Sequence, residues 1–286
     1  MAFMRGSPVL TDQKFQEQTD EARAAAAGGA GSFGRQYDPG VSGAPMPSTS
    51  YSVMTVGGSI TATCVLMVLL LGAAAFGWTQ VVQVEPIINP VTGENMNSPV
   101  IPGWIFIALL VGVGVGLLTA FMPKLARFTA PVYALAYGVA IGAISAVYNS
   151  WYEGIVTQAV FATLAIFATM LFLYVTRIIK VTNRFVMIVA AATMGIFLMY
   201  LLAFVVQLFG VDVSFLNDPS PFAILLSVGI IIIAALNLAI DFAFIEKASA
   251  AQVPKYMEWY AAFGIVTTLV WIYLEVLRLL AILNRN

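Results

Sequence analysis

The sequence predicts an all-α membrane protein with seven transmembrane helices, and three observations lead there. Seven apolar runs reach about the ~20 residues that span a bilayer as a helix. Charged residues make up 9% of the chain, against about 25% in soluble domains, while 60% is hydrophobic. The basic residues also alternate with the loops, which is how a multi-pass chain fixes its orientation.

Residues 1–50 differ from the rest. The runs Ala24–Gly34 and Pro39–Ser50 are rich in Gly, Ala, Pro and Ser, too polar and broken to bury a core. They are expected to be a disordered cytosolic tail, with a short helix allowed over 11–27. The tail has no charged start followed by an apolar run, so it does not read as a secretory signal. Residues 51–286 are expected to form the transmembrane domain.

The spans run roughly over 54–78, 103–122, 131–149, 155–175, 184–209, 221–245 and 259–283. The first holds the chain's one cysteine, Cys64, which reads as a small buried apolar side chain. The loop after it carries Pro86, Pro90, Pro99 and Pro102 and cannot be a continuous helix. In the second span Gly112 and Gly116 lie one turn apart, as do Gly138 and Gly142 in the third. Small residues at that spacing let helix backbones approach, so spans two and three are expected to pack closely. The sixth carries Asn237 and Asp241, and the seventh carries Glu275 and Arg278.

Arg5, Lys14, Arg23, Arg35, Lys124, Arg127, Arg177, Lys180, Arg184, Lys247 and Lys255 all fall on one side of this arrangement. That side is expected to be the cytosol, which places the C-terminus outside. The opposite loops carry Glu85, Glu94, Glu153, Asp212 and Asp218 without Lys or Arg. Trp78, Trp104 and Trp151 fall at that outer interface, as an aromatic belt does. A net charge of −1 gives no field to recruit nucleic acid; the bilayer is the expected partner.

Several function classes fall away. The chain has no histidine, which excludes His-based metal sites and Ser-His triads. A retinal protein needs a Schiff-base lysine in its last span, and none is there. The Gly-x-Gly-Asp motif of intramembrane aspartyl proteases is absent. No enzyme activity and no cofactor are expected.

A charge within a span costs about 2.5–3.5 kcal/mol on insertion scales, so each one asks for a reason. Asp241 and Asn237 are four residues apart on one helix face. They read as an ion or proton site, or as a polar pair joining helices. Asp241 is a candidate proton sensor. Glu275 and Arg278, three apart, can pair along one face of span seven, either to let the span insert or to form a gate. Arg278 lies near the outer end and can snorkel. Asp241 is placed about four residues from the cytosolic end of span six, and Glu275 about sixteen into span seven. At ~1.5 Å per residue their depths differ by more than about 10 Å. Thr267 and Thr268 match the depth of Asp241 better, and Lys124 or Arg127 can serve as its counter-charge.

Span six with its Asp, a short loop, and span seven ending in Tyr273-Leu-Glu-Val-Leu-Arg-Leu-Leu-Ala-Ile-Leu283 resemble the Bax inhibitor/YccA family, most closely its actinobacterial branch. Gly142–Tyr148, Gly154–Val160 and Glu258–Gly264 support the resemblance, which covers residues 54–283. It implies a central seventh helix wrapped by the other six. It also implies a pH-sensitive calcium leak, with calcium as transported ion rather than cofactor. In some members it implies stress survival or restraint of a membrane protease. In the family two acids on spans six and seven share a proton, with a basic residue of span two nearby. Asp241 matches the first acid and Lys124 the basic residue. The second acid falls at Thr268 when Arg278 is matched, or at Glu275 by the local Tyr-Leu-acid pattern. Carboxylate and amide oxygens suit calcium. The acidic outer loops either concentrate cations at a pore mouth or are solvated loop charge.

Overall fold

Seven helices form because the apolar runs have no water to satisfy their backbone, and a helix satisfies it within the segment. In this computed structural model, residues 52–81, 99–210 and 218–285 are described. The expected tail, with its four basic residues, lies outside them, as do Pro86, Pro90, Glu85, Glu94 and Asp212. The helices are α1 (Val56–Thr79), α2 (Gly103–Phe121), α3 (Ala126–Trp151), α4 (Ile155–Val175), α5 (Asn183–Leu208), α6 (Pro221–Ala250) and α7 (Met257–Asn284). All seven are long and apolar enough to cross a membrane. A 3₁₀ turn, Pro123–Leu125, separates α2 from α3.

Two boundaries differ from those expected. Pro131 reads as a helix start, yet α3 begins at Ala126 and carries Pro131 inside it. Ala126 and Ala130 are fully buried, so packing draws the extra turn into the bundle. Span six runs on to Ala250 because Ile245 and Ala248 are buried although Glu246 and Lys247 are charged. Asp241 therefore lies nine residues from the helix end rather than four.

α7 carries many buried side chains, among them Val266, Ile272 and Leu277, and packs on α1, α3, α4 and α6. α2 lies against α3, while α5 rests on α6 and buries Val189. Gly112 and Gly116 of α2 face Tyr137 and Tyr133 of α3, as close α2–α3 packing requires. Gly138 and Gly142 instead face α1. A Cβ on Gly142 would collide with the Ala74 carbonyl, so two backbones touch where only glycine fits. The glycines of α3 therefore join it to α1, not to α2.

The residues before α1 strap onto the α6–α7 connection. Val53 and Pro254 form an isolated antiparallel bridge. The Met54 N–H donates to the Val253 carbonyl at 2.8 Å, and the Lys255 N–H to the Ser52 carbonyl at 3.0 Å. The lysines and arginines of the loops gather at this end. Trp78, Trp104 and Trp151 lie at the opposite end, all substantially exposed.

Candidate functional site

Asp241 sits where α6 crosses α7. It is partly buried, in a part of the bundle whose hydrophobic core includes Leu238 and Phe242 of α6 and Ile265 and Leu269 of α7. The Thr268 hydroxyl donates to Asp241 Oδ2 at 2.8 Å, and Thr268 Oγ1 also lies 3.0 Å from the Gly264 carbonyl of its own helix. Gly264 makes room, since a Cβ there would stand 3.3 Å from Asp241 Oδ1.

A hydroxyl has one proton and two lone pairs. If Asp241 is ionised, that proton points to the carboxylate. If Asp241 is protonated, it can donate to Thr268 Oγ1, and the hydroxyl proton turns to the Gly264 carbonyl. Both protonation states keep their hydrogen bonds without moving a heavy atom. Asp241 takes part in no ion pair among the described residues. Lys124 and Arg127 are exposed and are not brought to it. Thr267, the other hydroxyl at this depth, is not hydrogen-bonded to Asp241.

Asn237 lies one turn from Asp241 but points elsewhere. Its side-chain amide donates to Thr193 Oγ1 of α5 at 2.8 Å and to the Ile233 carbonyl at 2.9 Å. The expected polar stripe is thus split. Asp241 engages α7, and Asn237 ties α5 to α6.

Glu275 and Arg278 form a second cluster, seven or more residues beyond Thr268 along α7 and hence about 10 Å or more farther from the basic end. Their side chains pair at 3.3 Å, with exposures of 6% and 13% that mark the pair as interior. Tyr200 of α5 donates to Glu275 Oε2 at 3.0 Å and also contacts the Arg278 guanidinium. Arg278 donates to Ser227 of α6 at 3.0 Å. Arg278 therefore turns into the bundle rather than snorkelling, because α5 and α6 offer it oxygen acceptors. Glu275 and Thr268 lie on the same helix at different depths, and the one beside Asp241 is Thr268.

Across these helices runs the similarity that decides the family. A family model described as Bax inhibitor 1 like matches residues 7–285. The chain belongs to the Bax inhibitor 1-like family. The match begins well before the first span, so it takes in most of the segment ahead of α1. No curated protein and no solved structure matches the chain.

In this family member a third acid matters that the sequence did not single out. Glu258, in the first turn of α7, is 4% exposed. Its Oε1 accepts from both the backbone N–H and the hydroxyl of Thr55, each at 3.0 Å. Thr55 is the N-cap of α1, so the carboxylate sits at the positive end of that helix. Gly58 permits the approach, since any Cβ there would strike the carboxylate. The signal was present as a Thr with Gly three residues later at a span start, together with a lone acid opening span seven.

Proposed function

We propose that this Bax inhibitor 1-like protein is a pH-sensitive leak pathway for calcium or related cations across a cell membrane. Asp241 is its titrating oxygen ligand, and Thr268 occupies the place of the family's second acid. The observation that carries the reading is the Thr268–Asp241 hydrogen bond, made between two spans and able to persist in both protonation states. A hydroxyl is a weaker partner than a second carboxylate, so proton sensing here rests on one acid. Carboxylate and hydroxyl oxygens are suitable hard ligands for calcium. The positive-inside rule orients the N-terminus to the cytosol and the C-terminus outside. The reading is of a non-enzymatic protein.

The test is calcium flux into liposomes containing the purified full chain, at acid and neutral pH, for wild type, Asp241→Asn and Thr268→Val. A flux that changes with pH in wild type and loses that dependence in Asp241→Asn supports the reading. Absence of flux at every pH from folded protein sinks it.

A second reading draws on α5, which rests on α6 and turns most of its apolar surface outward. It is a non-conducting stress-response regulator that holds a membrane partner such as a protease. Under that reading Asp241→Asn leaves partner binding intact.

A further inference from the structure

An open cleft of about 680 Å³ lies at the basic end of the bundle, within the ~300–1,000 Å³ of small-ligand sites. Its walls come from three places: Ser52 and Val53 of the strap, Arg127 of α3, and Lys255, Tyr256 and Trp259 around the start of α7. The strap's backbone bonds to Val253 and Lys255 fix one wall against the other, so the cleft is formed in advance.

Its charge is unbalanced. Arg127 and Lys255 form no ion pair among the described residues. The neighbouring acid, Glu258, is turned away into the bundle and engaged by Thr55. Two cations thus face one cavity with no carboxylate directed at them. Tyr256 and Trp259 add amphipathic rings of the type that sit at headgroup level.

We propose that this cleft binds the phosphate of an anionic phospholipid headgroup. The guanidinium can take two phosphate oxygens as a fork, and the ammonium supplies a point charge beside it. Basic pockets between transmembrane helices recognise such headgroups. A lipid is favoured over an acidic protein segment because the cations and rings lie together at the ends of spanning helices, where headgroups are the abundant anions. This site is separate from Asp241 and does not depend on any leak activity.

The test is native mass spectrometry of the full chain from nanodiscs of phosphatidylcholine with added phosphatidylglycerol, scoring retained phosphatidylglycerol. The variants are Arg127→Gln/Lys255→Gln and the control Lys180→Gln, an exposed lysine at the same end outside the cleft. The double variant should lose roughly thirtyfold in retention, and Lys180→Gln should lose little. Unchanged melting of each variant establishes that it is folded; if the double variant is not, Arg127→Gln alone is read the same way. Equal loss in the control, or no loss in the cleft variant, overturns the proposal. Displacement of the lipid by millimolar inorganic phosphate would assign the site to free phosphate instead. Preferential capture of a poly-glutamate peptide would assign it to an acidic protein segment.

Discussion

Asp241 and Glu275 are both acids inside the spans of one bundle, and they are held in opposite ways. Glu275 has a cation three residues away, and that cation is itself bonded to Tyr200 and Ser227. Asp241 has a threonine hydroxyl and no cation. An ion pair holds its charges by mutual need, so its protonation is tied to the integrity of the cluster. A hydroxyl can turn its one proton either way, so the acid beside it can change state at little structural cost. The difference separates a clasp, which joins α5, α6 and α7, from a site that can respond to pH.

The clasp should break first. Arg278→Met leaves Glu275 buried without its partner and should cost about 3–5 kcal/mol, read as the unfolding midpoint in detergent micelles. Removing both charges, as Glu275→Gln with Arg278→Met, should return most of that loss; a double variant no better than the single would mean the pair is not the source of the cost. Tyr200→Phe takes one hydroxyl from both charges and should cost about 1–3 kcal/mol by the same measurement.

Asp241→Asn should do the reverse. It keeps an acceptor for Thr268 and should change stability by less than about 1 kcal/mol, while flattening the pH profile of flux. A variant with stability and pH profile both unchanged would remove Asp241 from the mechanism. Smaller should be the effect of Gly264→Ala, whose methyl presses on Asp241 Oδ1 and needs a shift of a few tenths of an ångström. It should cost a few tenths of a kcal/mol at most and move the pH midpoint without abolishing the response. Thr268→Ser, which retains the hydroxyl, should leave that midpoint in place.

Much of this was legible in the chain. Apolar length determined all seven spans, and arithmetic on depth separated Thr268 from Glu275 as the neighbour of Asp241. Sequence spacing within one helix defines a shared face but not which helix lies opposite. For that reason Asn237 was grouped with Asp241, although its partner is Thr193 on α5. For the same reason Gly138 and Gly142 were assigned to the α2 contact when α1 is what they meet. Lys124 and Arg127 were expected to offer Asp241 a counter-charge from the second loop, but they remain exposed at the basic end. Glu258 escaped because a charge at a helix start needs no special reason, and its contacts with Thr55 and Gly58 arise only when α1 and α7 pack together.

The Thr55–Glu258 bond joins residues 203 positions apart. During synthesis, α1 reaches the membrane long before the acid that completes its cap exists. α3 can seal against it early through Gly138 and Gly142, and Thr55 can cap it locally through the Gly58 N–H, but the bond to Glu258 must wait for α7. A chain released before α7 is made would therefore lack the carboxylate that receives the Thr55 N–H and hydroxyl, so this bond records that translation has passed residue 258.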